Sequence, residues 1–426
     1  MLTGRHREPR TDNQELRAGT IHHSRLHYRM KTLGIYVQIP FCASKCSFCN
    51  FSSKVALAGA LDAYCSALEQ EIAHLPAFYE ASQIGREIFT LPADTVYFGG
   101  GTPTLLGAER LEGIVSALRS RFKVANATNP VEFTLEATPG SVNDDLLEAL
   151  LLLGANRLSI GAQSFDDREL RSVGRLHSAS ATHDLITRAR RAGFTNVSLD
   201  LVAGLPYQNE SSWLGSLREV GRLRPEHVSV YLFEVDERSR LGNEVLRQGT
   251  RYGADHVPGD EFKAEAYEAA RGVLSREGYS QYEISNFSLP GFESKHNQGY
   301  WQLKPYVGLG AGAHSFDGYR RWANETTPEI YQQKLARRAS PITEFHFLGP
   351  EEQLEEFFFL GLRTRRGIDL TTARRQWGES RVAHWEPKIR ALAADRWLEA
   401  DGDCVRLSQR AYLVSNEVFQ EFVRCR

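Results

Sequence analysis

Short apolar runs of strand character alternate along this chain with longer amphipathic stretches of helical period. Strands are predicted at Gly34–Ile39, Thr95–Phe98, Glu132–Glu136, Arg157–Gly161, Ser198–Val202 and His227–Leu232. Helices are predicted between them at Leu61–Leu75, Ala108–Arg121, Asp144–Leu153, Ala181–Ala192 and Ser212–Gly221. This alternation is the pattern of parallel βα units with helices packed outside the sheet. Such folds carry their chemistry on loops at the C-terminal strand ends. The loaded residues fall there. A cysteine-rich loop follows the first strand, Gly99-Gly100-Gly101-Thr102-Pro103 follows the second, Glu136 ends the third and Gln163 follows the fourth.

The two ends of the chain read differently. Residues 1–29 are polar and Arg- and His-bearing, without strand or helical period, and are predicted to be a mobile extension. Strand character begins directly after Met30, which is the expected alternative start. His22, His23 and His27 could bind a metal, but a solvated tail is the expectation. From about residue 346 the run L-G-P-E-E-Q-L-E-E-F-F-F-L-G-L-R is helical with one apolar face. The later W-L-E-A-D-G-D-C-V-R-L-S predicts a hairpin turning at Asp401-Gly402, so residues 346–426 read as a helix-plus-wing module. A winged outline suggests DNA, but acidic residues offset the arginines, so packing over the mouth of the preceding domain is expected. Cys404 is expected to pack as a small hydrophobe.

Composition excludes several classes. A chain of 426 residues can hold a large domain and a smaller one. A net charge of −2 gives no bulk attraction to nucleic acid or membrane. No window approaches the roughly 18–20 apolar residues of a membrane span, and the N-terminus lacks the apolar core of a signal peptide. The scattered Cys65, Cys404 and Cys425 do not form a disulfide framework, so a reducing cytoplasm is expected.

The other three cysteines, Cys42, Cys46 and Cys49, lie in I-P-F-C-A-S-K-C-S-F-C-N-F. Their C-x3-C-x2-C spacing puts three thiolates on one short loop, able to converge on one metal centre. Four would close a structural site, whereas three leave a metal position open for a small molecule. A zinc knuckle with its fourth ligand elsewhere is the plainer alternative; position 51, where an adjacent cysteine could sit, is Phe51.

The spacing resembles the cluster loop of the radical S-adenosylmethionine (SAM) enzymes, with aromatic Phe48 before the third cysteine. The resemblance implies a [4Fe-4S] cluster on Cys42, Cys46 and Cys49 whose open iron chelates SAM, with Phe48 able to pack on the adenine. Gly99-Gly100-Gly101-Thr102-Pro103 resembles the segment contacting the methionyl amino group. Glu136, Gln163, Arg175 and Asp200 match one branch of the superfamily, where, with Tyr36, Gly100, Gly101 and Thr102, they hold SAM. Each alone would read as a strand-end polar group satisfying backbone.

That branch is oxygen-independent coproporphyrinogen III oxidase and its relatives, and the likeness runs over roughly residues 34–420. Its oxidase subgroup carries a fourth cysteine two residues past the third, where this chain has Asn50-Phe51. Its heme-chaperone subgroup, HemW, carries H-N-x-x-Y-W, matched by His296-Asn297-Gln298-Gly299-Tyr300-Trp301. The resemblance implies an α/β fold: a partial (βα)6 TIM-like radical SAM barrel in residues 30–270. A motif-bearing segment at 271–345 and a winged-helix-like α+β domain at 346–426 follow. It implies a chaperone that binds heme through His296, Asn297, Tyr300 and Trp301 and passes it to an acceptor protein. A neutral imidazole can ligate heme iron, and Tyr and Trp can pack on the porphyrin. A buried histidine paired locally is the plain reading of His296, and His314 is a second candidate ligand. The alternative is an enzyme that oxidatively decarboxylates coproporphyrinogen III propionates to vinyl groups, served by a flavodoxin or ferredoxin.

Overall fold

The computed structural model describes residues 31–424 apart from positions 58, 83 and 125–130; the N-terminal extension with its histidines, and Cys425, lie outside the described residues. All six expected strands form: β1 (Leu33–Ile39), β2 (Pro92–Gly100), β3 (Glu132–Ala137), β4 (Arg157–Gln163), β5 (Val197–Ala203) and β6 (His227–Leu232). They pair in parallel in chain order. The intervening helices are α1 (Ala60–Ala81), α2 (Gly107–Arg121), α3 (Asp144–Leu152), α4 (Asp167–Ser172), α5 (Ala179–Ala192) and α6 (Glu210–Leu223). Helices α7 (Arg240–Leu246), α8 (Asp260–Arg276), α9 (Lys295–Trp301), α10 (Pro328–Ala336) and α11 (Pro350–Leu362) follow.

Strand periodicity divides the sheet into two faces. Leu33, Ile35, Val37 and Ile39 of β1 join the apolar core shared with the helices. The opposite positions are polar: Thr134 and Glu136 on β3, Ser159 on β4, Asp200 on β5 and Ser229 on β6. The interior of the partial barrel is therefore a polar chamber, and apolar burial against the outer helices stabilises it.

The sheet extends beyond the expected six strands. β7 (Asn286–Ser288) adds antiparallel to β6. On the other side, β8 (Tyr306–Leu309) adds parallel to β1 as a seventh parallel strand. β9 (His314–Phe316), β10 (Arg320–Asn324) and β11 (Ile342–Phe347) continue it antiparallel. Among the described residues no pairing joins the two edges of this sheet.

Helix α1 runs past Pro76, where the sequence reading ends it at Leu75. Proline removes the donor that would satisfy the carbonyl four residues earlier. Arg121 of α2 substitutes, its Nε donating to Ile72 O at 3.1 Å and its Nη2 to Ala73 O at 2.8 Å. The tertiary contact carries the helix through its breaker.

The same helix buries Glu71, whose carboxylate accepts from Gly310 N (2.8 Å), Asn324 Nδ2 (2.7 Å) and Tyr331 Oη (2.6 Å). Burial pushes this carboxyl up to about 7, against the three donors. The folded chain thus holds the proton more tightly than an unfolded glutamate near 4.3. Its contribution to stability is present in full below that pH and is lost as pH rises through about 7. Denaturation of the wild type and Glu71→Gln across pH 4.5–8 should show the wild type losing on the order of 3 kcal/mol relative to the variant. A difference independent of pH would contradict this.

In the C-terminal part, α11 precedes a wing of β12 (Ile368–Asp369), β13 (Leu398–Asp401) and β14 (Cys404–Leu407), ordered β12-β14-β13. The hairpin closes at the pair Asp401–Cys404, so Gly402 and Asp403 form the turn, one residue later than expected. Cys404 is exposed, contrary to the sequence reading, because Val405 and Leu407 take the inward positions of β14. Helix α11 lies against α9, beside the barrel interior.

Candidate functional site

The cysteine loop is built by the end of β2. Gly101 N donates to Ile39 O at 2.8 Å and Thr102 N to Phe41 O at 2.7 Å, so the glycine segment pairs with the chain entering Cys42. A Cβ on Gly101 would stand 2.4 Å from the Phe41 carbonyl oxygen. Gly100 has φ 108°, and its Cβ would meet the Gln38 amide at 2.6 Å. The glycines thus serve first to seat the cysteine loop. Its far side is clamped by Ser47 N on Val173 O (2.9 Å) and by Leu241 N on Ser47 O (2.8 Å). Phe48 packs into an apolar cluster with Val173, Val202, Phe233 and Leu241.

Cys46 is buried, and Cys42 and Cys49 are half-buried. Burial pushes the Cys42 and Cys49 thiols up; the Thr102 and Ser53 hydroxyls work against it at Cys42, and the Phe51 backbone does so at Cys49. Neighbouring cysteine sulfurs raise both further, which places the three within electrostatic reach of one another. Such thiolates need a cationic centre to be stable, and an iron–sulfur cluster provides one. Among the described residues no three His, Cys, Asp or Glu side chains converge on a point fit for one ion. Ligands to separate irons of a cluster stand farther apart than ligands to one ion.

Five more expected residues line the chamber beneath this loop. Arg175 Nη1 donates to Cys46 Sγ at 3.5 Å and its Nη2 to Gly161 O at 2.5 Å, while its buried Nε has no partner. Gln163 has φ 68° at a bulge in β4, and its amide folds back over Gly161. Glu136 accepts from Tyr97 Oη (2.9 Å) and Gly100 N (3.1 Å). Burial, then the nearby Asp200 charge, pushes its carboxyl up to about 7. Asp200 is itself pushed up by burial, tempered by the Ser229 hydroxyl and by Arg157 and Arg175. Tyr36 stacks on Tyr97 with centroids 6.0 Å apart.

The H-N-x-x-Y-W run sits at the other end of the chamber. It forms α9, N-capped by Ser294, with Lys295 N and His296 N donating to Glu132 at 2.8 and 3.0 Å. His296 is buried beneath Tyr97, 5.1 Å between ring centroids. Its Nδ1 lies 2.8 Å from Thr95 Oγ1 and its Nε2 2.8 Å from Tyr300 Oη, so both ring nitrogens are engaged. Burial, then Lys304, pushes its pKa down to about 3, so the imidazole is neutral. Gly34 admits it, since a Cβ there would lie 3.5 Å from the imidazole and 3.2 Å from Thr95 Oγ1. Trp301 packs on Tyr282 and under Arg363. Asn297 gives its backbone N–H to the Ser294 cap.

Thr95 and Glu132, near the starts of β2 and β3, fix this plug, and sequence reasoning missed both. The signal for Glu132 is the alternation E-F-T-L-E on β3, polar at every second residue on the chamber face. His296→Ala should cost roughly 2–4 kcal/mol, because it leaves a cavity and two buried hydroxyls unpaired. Thermal unfolding checks this, and a loss within 0.5 kcal/mol, the range of an ordinary surface substitution, would contradict the packing account.

Comparison with known proteins places this geometry. Residues 36–220 match the family model of the radical SAM superfamily, and residues 348–414 that of the HemN C-terminal domain. The chain is 34% identical over 388 residues to a Bacillus subtilis protein named heme chaperone HemW, covering 91% of this chain and 98% of that one. The chain belongs to the HemW family. A Mycobacterium tuberculosis HemW is 33% identical, with 90% and 93% covered. The solved structure of coproporphyrinogen III oxidase (HemN) from Escherichia coli, a radical SAM enzyme, superposes with a TM-score of 0.80 at 24% identity. It covers 93% of this chain and 91% of that one, and it shares the fold. Membership of the radical SAM superfamily implies a [4Fe-4S] cluster and SAM, as the HemW names imply heme. No described helix is long and apolar enough to cross a membrane.

Proposed function

We propose that this protein is a heme chaperone that holds a [4Fe-4S] cluster with SAM, binds heme and passes it to an acceptor protein in the cytoplasm. The observation that carries this reading is the match to HemW proteins along nearly their whole length. Phe51, largely exposed where the oxidase-type loop has a fourth cysteine, favours it over coproporphyrinogen oxidation.

Cys42, Cys46 and Cys49 would hold the cluster, and Arg175 would stabilise the sulfur of Cys46. Held there beside SAM, the cluster would supply one-electron chemistry. An electron donor of the flavodoxin or ferredoxin kind would serve it. Glu136 on β3 and Asp200 on β5 share the chamber face of the sheet, one strand apart, and suit hydroxyl groups such as those of ribose. Arg175, with one N–H unpaired, suits a carboxylate. Gln163, its amide beside Arg175 over Gly161, would add a polar contact, while Tyr36, Phe48 and Thr102 would close the sides. The backbone of Gly100, Gly101 and Thr102 would take the amino acid end, two of the three positions carrying no Cβ. Of the heme residues, Tyr300 and Trp301 offer ring surface, whereas His296 and Asn297 act through the position of α9.

SAM binding to the reconstituted protein, measured calorimetrically, should strengthen from pH 6 to pH 8 as Glu136 ionises. Glu136→Gln should remove that dependence. An unchanged pH profile in the variant would contradict the role given to Glu136.

A further inference from the structure

A cavity of about 470 Å³ opens between β1, β8 and β9 on one side and α11 on the other. That size lies within the range for small-molecule pockets. Its lower wall is Tyr300 and Tyr306, packed edge to face at 4.6 Å. Phe359 and Leu360 of α11 form the opposite wall. At its rim stands His314, exposed, with no partner for its imidazole among the described residues. On the same wall Arg321 holds Glu356 through Nε (2.7 Å) and Nη2 (2.8 Å) and lies over the Phe316 ring at 4.3 Å.

We infer that this cavity is the porphyrin site, with His314 as the iron ligand and Arg321 facing a propionate; this rests on the heme reading above. Strand period puts His314 and Phe316 on one face of β9, and Phe316 touches Tyr306 and Arg321, both of which line the cavity. His314 is therefore aimed to the side where a flat aromatic ligand would lie. His296 is not so placed, since Thr95 and Tyr300 occupy its two nitrogens.

The loop that presents His314 is built for that position. Gly308 has the His314 carbonyl oxygen 2.0 Å from where its Cβ would be, and Gly310 has Gln38 O at 2.6 Å. Glu71 and Tyr64 hold the turn through Gly310 N and Ala311 N. Arg321 spends two nitrogens on Glu356 and one on Tyr306 Oη, which leaves N–H groups for a carboxylate. Tyr36 and Gln38 of β1 also line this cavity, so its ligand would touch the strand that leads into the cluster loop.

Full-length protein with its cluster reconstituted, titrated with ferric protoporphyrin IX under anaerobic conditions, tests the assignment by visible and EPR spectra. The wild type should bind one equivalent with a nitrogen-ligated signature. His314→Ala should lose that signature and bind at least tenfold more weakly, and free imidazole should restore the signature. Leu360→Arg, filling the cavity from α11, should also weaken binding at least tenfold, with iron content and far-UV dichroism unchanged. If the wild type binds heme but either variant keeps wild-type affinity, the site is elsewhere and the chaperone reading survives. Failure of imidazole to restore the signature also overturns the ligand assignment. If the wild type binds no heme, both readings fail.

Discussion

Alanine at Cys42, Cys46 or Cys49 is expected to abolish the cluster, leaving anaerobically reconstituted protein without the about four irons and four sulfides of a three-thiolate site. All three sulfurs belong to one loop pinned at Phe41, at Ser47 and beneath Arg175, so each holds a fixed position that a residue outside the loop would have to reach. Cys65 is buried in the apolar core and Cys404 is exposed on the wing, so alanine at either should leave iron content unchanged. Cys425→Ala is expected to behave likewise. Iron and acid-labile sulfide analysis reads the outcome. Full iron after loss of Cys46, or stoichiometric zinc in anaerobic protein, would contradict the cluster assignment.

The glycines after β2 should separate into two classes. Gly101→Ala drives a Cβ to 2.4 Å from the main-chain oxygen of Phe41, and backbone cannot yield without moving the entry to Cys42. Loss of most of the cluster is expected. Gly100→Val instead meets the flexible end of Gln38, though at φ 108°, a conformation that side-chain-bearing residues avoid. That variant should keep its iron but lose the change that SAM produces in the EPR spectrum of the reduced cluster. Equal behaviour of the two variants would mean that the glycines serve the loop and SAM indistinguishably.

The six parallel strands were legible because their outward residues, such as Ile35, Val37 and Ile39, form short apolar runs between helical periods. β8 was not, since Tyr306–Leu309 spans four residues, includes a glycine and follows Pro305. Its place is fixed by pairing with β1, some 270 residues earlier in the chain, which no local pattern encodes. Helix α1 beyond Pro76 depends in the same way on Arg121. At the site, spacing gave the cysteine loop, and family likeness gave the chamber residues. The division of the chain's two motifs between opposite ends of the chamber was hidden, because it follows from which end of β2 and β3 each one meets. Thr95 and Glu132 hold α9 at one end; Gly100 and Glu136 serve the loop at the other. The alternating polar residues of β3 mark an interior face, but not what it faces.

The central claim is that this radical SAM scaffold carries heme rather than decarboxylating coproporphyrinogen III. The most direct measurement offers the reconstituted, reduced protein SAM, heme and coproporphyrinogen III together, and then quantifies tetrapyrroles on the protein and in solution after gel filtration. The account predicts about one heme retained per chain and coproporphyrinogen recovered intact. Protoporphyrinogen in solution, with no heme on the protein, would contradict it.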